Sequence, residues 1–217
     1  MFEEFNLPVK TPKLVKRLYS KYIWDKIIAN DSQKDIYLTF DDGPIPEVTP
    51  WVIDTLKAYN AKATFFCIGE NVFKNPTTFE YLKNSGNSIG NHTYNHLNGW
   101  KTETTTYISN FLKAEAVMES KLSAIQKIFR PPYGKIKKNQ AENLIARGYD
   151  IIMYDVIARD WDPNITKELC LKNVLKNSVN GSIVVFHDSL KAERNLRYTL
   201  PKVLKHFSEL GYEFKGL

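Results

Sequence analysis

The sequence predicts an α/β fold: a small or irregular (β/α) barrel of about seven parallel strands. Three observations lead there. After residue 34, short β-rich runs alternate with helical patterns, the signature of βα units around a parallel sheet. Uncommon polar residues crowd directly behind several of those runs, where the strand ends of such a barrel converge. The chain has 217 residues, 43% of them hydrophobic and 25% charged, which suits one soluble globular domain.

The elements follow in order. Residues 1–34 read as an N-terminal extension and residues 35–217 as the main domain. From Leu14 to Ile28, apolar residues at 14, 15, 18, 19, 22, 23, 27 and 28 mark an amphipathic helix, flanked by Lys13, Lys16, Arg17, Lys21 and Lys26. Such a helix either covers an open end of the core or lies on an anionic membrane surface as a peripheral contact. Strands are expected at Ile36–Phe40, Ala63–Ile68, Ser88–Gly90, Ile128–Arg130, Asp150–Val156, Ser182–Phe186 and Tyr212–Phe214. Helices are expected near 48–59, 76–85, 104–124, 138–147, 166–178 and 194–209. Pro46 suits a helix start, and Gly86, Gly148 and Gly211 suit helix ends. A doubly wound open sheet is the alternative, but neither G-x-G-x-x-G nor G-x-x-x-x-G-K-[ST] occurs.

Behind the expected strands stand Asp41-Asp42-Gly43-Pro44, then His92 and His96, Arg130-Pro131-Pro132-Tyr133, Asp160-Trp161 and His187-Asp188. Two histidines four residues apart can reach one metal ion, and a carboxylate from another strand end completes a two-His, one-carboxylate set. Such a set leaves a position open for water, which marks a catalytic site. Asp41-Asp42 can supply that carboxylate. The plain reading of the pair is a turn or helix cap with Gly43-Pro44. Adjacent side chains point in different directions, however, so one acid can bind metal while its neighbour accepts a proton. His206 falls within an expected helix and reads as a surface or packing residue.

In order, Thr39-Phe40-Asp41-Asp42-Gly43-Pro44, His92-Thr93-Tyr94-Asn95-His96, Arg130-Pro131-Pro132-Tyr133, Asp160-Trp161 and Val185-Phe186-His187 resemble the five motifs of the polysaccharide deacetylase family. These are the NodB-homology domains of carbohydrate esterase family 4, and the resemblance spans about residues 35–215. It implies a distorted (β/α) barrel, a divalent metal and removal of acetyl groups from glycans. By that resemblance Asp42, His92 and His96 bind the metal, zinc first, although cobalt, nickel and ferrous iron also suit the donors. Asp41 is the implied general base and His187 the general acid. Arg130 keeps Asp41 ionised, Asp160 orients His187, and the Tyr133 backbone N–H helps hold the oxyanion. Trp161, Pro132, Tyr133 and Val185 line the substrate pocket. Val185 stands where the family usually has Leu, which implies a slightly roomier acetyl pocket. Ile157 stands where an Asp often precedes the Asp-Trp pair.

The expected partner is an acetylated glycan: chitin-like oligomers or peptidoglycan fragments as N-acetyl substrates, or an O-acetyl ester such as acetylated xylan. A non-catalytic glycan-binding module is the competing class. The net charge of +6 suits an anionic partner. The lysines are nevertheless scattered and no nucleic-acid-binding motif appears, so nucleic acid is not expected. Cys67 and Cys170 are expected as free thiols. The chain shows no signal peptide, giving the expectation of a cytoplasmic protein, and a monomer is expected.

Overall fold

The computed structural model describes residues 8–26, 33–122 and 126–217. Alternation along β1 (Asp35–Asp41) separates an outside from an inside. Ile36, Leu38 and Phe40 join a large apolar cluster with Phe65, Val184 and Phe186. Tyr37 instead packs against a small cluster of Phe66, Ile128, Ile152 and Ile183. Thr39 and Asp41 share the face of Tyr37, so the strand delivers its polar residues to the inside of a curled sheet.

The remaining strands are β2 (Thr64–Cys67), β3 (Ser88–Asn91), β4 (Ile128–Phe129), β5 (Asp150–Ile151), β6 (Val156–Ile157), β7 (Ile183–His187) and β8 (Glu213–Phe214). They run in the order β5-β4-β3-β2-β1-β7-β6, with β8 on the early part of β1, and every strand pair is parallel. Parallel neighbours require crossovers, supplied here by helices. These helices are α2 (Thr49–Ala58), α3 (Gly69–Lys74), α4 (Pro76–Asn84), α5 (Thr104–Glu119), α6 (Lys138–Ala146), α7 (Lys167–Asn177) and α8 (Glu193–Glu209). Val52, Leu56, Val72, Phe79, Leu82, Val174, Leu200, Val203 and Leu204 bring α2, α3, α4, α7 and α8 onto the outer cluster. Tyr107, Phe111, Ala141 and Leu144 close α5 and α6 over a second flank. Inside the curl, a Cβ on Gly90 would come within 2.6 Å of the Phe66 ring, so glycine is what lets β3 approach there.

The (β/α) barrel is therefore present, with three corrections to its parts. The expected strand Asp150–Val156 breaks into β5 and β6, because Met153 and Tyr154 cross the seam where the curl stays open. Helix α3, not expected, is a short turn behind β2. The expected helix 104–124 ends earlier, at Glu119, and residues 123–125 lie outside the described residues. The largest change is at the N-terminus. In place of one amphipathic helix over Leu14–Ile28, the described part holds only α1 (Lys13–Leu18), and an extended segment follows it. Residues 27 and 28 lie outside the described residues.

That leading segment fills the seam between β5 and β6. Ile23 donates to the Ile151 carbonyl at 2.9 Å and accepts from the Met153 N–H at 2.7 Å. Ile157 donates to Val9 at 2.9 Å and Thr11 donates to Asp155 at 2.8 Å. Trp24 is buried with α5 and α6, whereas Leu14, Leu18 and Tyr19 stay exposed. Backbone pairing of an extended strap competes successfully with the helix, since an open sheet edge leaves N–H and C=O groups to satisfy. Asp155 fastens the strap by accepting from Lys10 Nζ and Ser182 Oγ, both at 2.5 Å, and from Lys16 Nζ. Burial alone would raise the Asp155 pKa, but these donors bring it below the ordinary carboxylate value. Removing a carboxylate that anchors two ammonium groups is costly when it is buried. Asp155→Ala is expected to lower stability by about 3 kcal/mol. Thermal unfolding would show this as a drop in Tm of several degrees.

Candidate active site

The site is assembled where β1, β3, β4 and β7 end and the next segments begin. Asp41 closes β1 beside His187 of β7 in register. The chain then turns sharply, with Asp42 at φ 83°. Three side chains hold that turn. Asp188 accepts from the Gly43 N–H at 3.0 Å and from Thr49 Oγ1 at 2.5 Å. Asn71 donates to the Asp42 carbonyl at 2.7 Å, and Asn75 donates to that of Pro44 at 3.1 Å. A Cβ on Gly43 would sit 2.0 Å from Asp188 Oδ2, so only glycine admits this packing.

His92 and His96 flank a loop after β3 in which Thr93 and His96 have φ 65° and 56°. Such left-handed backbone is unfavourable for non-glycine residues and survives where surroundings fix it. Here Asn110 of α5 accepts from the N–H groups of Tyr94 and Asn95 at 2.8 and 3.1 Å. The first N–H groups of α3 donate to the carbonyls of Thr93 and Tyr94 at 2.9 and 3.0 Å. This is the work of the unforeseen helix α3.

Asp42, His92 and His96 come together with one ligand atom each, all within 4.8 Å of one another. Asp42 Oδ1 lies 3.3 Å from His96 Nε2 and 3.8 Å from His92 Nε2. It is also a buried oxygen with no hydrogen-bond partner. An orphan buried carboxylate oxygen facing two imidazole nitrogens fits a divalent cation. The second ring nitrogen of His92, Nδ1, lies 2.7 Å from the Arg130 carbonyl, which fixes it as the donor and leaves Nε2 free to ligate. Burial lowers the pKa of His92 and brings that of His96 to about 4, keeping both neutral, as ligands must be.

Asp41 lies beside this trio. Arg130 Nη1 donates to Asp41 Oδ1 at 2.8 Å and to Thr39 Oγ1 at 2.6 Å. Nη2 donates to the Met153 carbonyl at 2.9 Å, Nε reaches that of Ile152 at 3.4 Å, and the guanidinium lies 4.3 Å from the Phe66 ring centroid. Arginine is the one cation whose fork serves all of these at once. Burial pushes the Asp41 pKa up, but the charge of Arg130, with that of His187, outweighs it and leaves the carboxyl below its ordinary value.

On the other side, His187 Nδ1 meets Asp160 Oδ1 at 2.9 Å, and the His187 N–H donates to Asp160 Oδ2 at 2.8 Å. The Trp161 ring packs edge-on at 4.7 Å from the His187 ring. Burial lowers the His187 pKa, but Asp160, with smaller help from Asp42 and Asp41, raises it to about 9. A histidine so placed holds a proton at neutral pH and loses it as pH rises through its pKa. Asp160→Asn removes the main support of that charge. The alkaline limb of kcat against pH is expected to move toward neutral by about one unit or more.

The other expected residues take defined places. Tyr133 sits in a tight turn (Pro132–Gly134) at φ 60°, with its ring 4.5 Å from that of His96. Pro132 is buried at the start of that turn, and Val185 is buried in β7 opposite Thr39. Cys67 and Cys170 are buried free thiols, and His206 packs edge-on against Phe207 in α8. Asp188, Thr49, Thr39, Asn71 and Asn110 carry no role in the sequence reading. Asp188 alone had a local signal, its place directly after His187. No helix among the described residues is long and apolar enough to cross a membrane.

Comparison with known proteins agrees with this geometry. A profile described as polysaccharide deacetylase matches residues 29–152. A peptidoglycan-N-acetylglucosamine deacetylase of Bacillus cereus is 37% identical over 158 residues, 73% of this chain and 57% of that protein. The peptidoglycan-N-acetylglucosamine deacetylase PgdA of Listeria monocytogenes is 34% identical over 183 residues, 84% of this chain and 38% of that protein. The chain thus spans roughly half or less of the length of these two relatives. The crystal structure of the Bc1960 peptidoglycan N-acetylglucosamine deacetylase superposes with a TM-score of 0.86 at 32% identity, covering 95% of both chains.

Proposed function

Because the chain belongs to the polysaccharide deacetylase family, we propose that it is a metal-dependent hydrolase that removes N-acetyl groups from N-acetylglucosamine residues of peptidoglycan. One observation carries this reading: a buried carboxylate paired with Arg130 and a histidine paired with Asp160 adjoin a three-donor cation site. Asp42, His92 and His96 would hold the ion, zinc first among those the donors suit. When bound, it supplies Lewis-acid activation of the acetyl group and of water.

The chain's own residues do the rest. An amide is a poor electrophile with a poor leaving group, so it needs both a base and an acid. Asp41 takes the proton of the attacking water, and Arg130 holds its carboxylate charged and aimed. His187 gives a proton to the departing nitrogen, and Asp160 keeps that imidazolium charged. The Tyr133 backbone N–H is assigned to the oxyanion, where a fixed donor matters most as charge develops. Val185 and Pro132 are assigned to the acetyl pocket, and Trp161 walls it beside His187.

Acetate release from peptidoglycan fragments, with and without added zinc, tests the reading. Metal-dependent release is expected. Release from acetylated xylan alone would shift the activity to O-acetyl esters. Glycan binding without any release would make the protein a binding module. The peripheral membrane contact remains a proposal of its own, resting on exposed Leu14, Leu18 and Tyr19 beside Lys13, Arg17 and Lys21.

A further inference from the structure

Beside the Tyr133 turn stands a second aromatic that the chemistry above does not use. Trp100 follows the His92–His96 loop in a short 3-10 turn (Gly99–Lys101) and is 61% exposed. Its indole is nevertheless held, since Nε1 donates to the Ile136 carbonyl at 3.2 Å. The Gly99 N–H donates to the Lys135 carbonyl at 3.1 Å, joining this loop to the one that carries Tyr133. Fully buried Gln140 locks the junction: its Nε2 donates to the carbonyls of Gly99 and Thr102 at 3.0 and 3.1 Å, and its Oε1 accepts from the Lys137 N–H at 2.9 Å. A Cβ at Gly99 would fall 2.5 Å from the Lys135 carbonyl, so the two loops are in direct contact.

An exposed Trp with its N–H satisfied and its loop locked presents a rigid apolar face to solvent. Scattered exposed aromatics need no explanation, but a pinned one beside a reaction centre does. Tyr133, also exposed, lies two residues before Lys135 in the loop that Trp100 touches, and its ring packs 4.5 Å from that of His96. The charge nearby is positive. Lys135 Nζ lies 5.5 Å from the Trp100 ring centroid and makes no ion pair among the described residues. Lys137 is engaged with the Thr102 carbonyl and Lys138 with Glu142, which leaves the Lys135 ammonium for a ligand.

We propose that Trp100 and Lys135 form a sugar subsite next to the reaction centre, taking a neighbouring residue of an N-acetylated glycan strand that carries carboxylates. The ring stacks on a sugar face, and the ammonium meets the carboxylate. This rests on the deacetylase reading and sharpens it, since it favours peptidoglycan over a neutral chitin-like chain.

The test compares kcat/KM for soluble peptidoglycan fragments, N-acetylchitotetraose and 4-nitrophenyl acetate, the last filling only the reaction centre. Trp100→Ala is expected to lower the ratio of either glycan to the aryl ester by about tenfold, and Trp100→Phe by no more than about threefold. Lys135→Gln should lower the ratio of peptidoglycan to chitotetraose. If Trp100→Ala lowers all three substrates alike, or none, the subsite is overturned. If Lys135→Gln affects both glycans equally, the carboxylate preference is overturned. Should the parent protein release no acetate from any glycan, the deacetylase reading fails on its own. Calorimetric binding of peptidoglycan fragments then decides the subsite: loss of binding in Trp100→Ala supports it, and unchanged binding overturns it.

Discussion

Asp41→Asn is expected to lower kcat by roughly 10²–10⁴-fold, the usual worth of a positioned general base, while the protein still folds and binds metal. The substitution keeps the shape and one oxygen that can accept from Arg130 Nη1, but it removes the lone pair that takes a proton. The proposed metal donors Asp42, His92 and His96 are untouched, so metal content measured on the purified variant should equal that of the parent. Some stability is lost, because Arg130 stays charged and buried with a weaker partner. It retains Thr39 and the Met153 carbonyl, which limits that loss. Full activity in this variant would remove Asp41 from the mechanism.

Arg130→Met should have the second-largest effect, and on two readouts. The guanidinium is 2% exposed and serves Asp41, Thr39 and two carbonyls across the seam. Methionine fills part of the volume over Phe66 but leaves Asp41 a buried charge with no paired cation. The expected cost is about 3–5 kcal/mol, as when one member of a buried pair is deleted. At about 2–4 °C per kcal/mol for a chain of this size, the fall in Tm should be about 6–20 °C. The second readout is pH. In the parent, Asp41 titrates below its unfolded value, so its share of stability is present above that value and disappears as pH falls through the lower folded pKa. Without Arg130 the balance reverses toward burial, and the acid limb of the activity profile moves up in pH. An unchanged acid limb would mean that Arg130 only packs.

The sequence made the ends of the strands legible because their residues violate what strand ends usually carry. Acids, histidines and an arginine behind apolar runs have few reasons to be there unless they converge. The pairs Arg130–Asp41 and His187–Asp160 join positions 89 and 27 residues apart, and the resemblance of the motifs to the family, more than the convergence alone, implied them. The supporting residues were not legible for a physical reason. Thr49 looks like any residue at a helix start, and only the folded turn shows that its hydroxyl reaches Asp188, 139 residues away. Asn110 reads as a polar position on an amphipathic helix, while its carbonyl holds the loop of His92 and His96 in its left-handed form. The leading segment misled for the opposite reason. Its 3.6-residue apolar spacing is real, but the open seam offers Ile23 backbone partners that a helix would forgo. Tertiary pairing outweighs local periodicity there.

On the proposed mechanism, Asp42, His92 and His96 hold one catalytic metal beside Asp41 and His187. The most direct test strips the protein with chelator, then titrates zinc back while bound metal and acetate release from peptidoglycan fragments are measured together. Release should be absent from the stripped protein and rise in proportion to zinc, levelling at one ion per chain. His92→Ala should bind no ion at that site and release no acetate. Undiminished release from the metal-free protein, or from His92→Ala, would contradict the account.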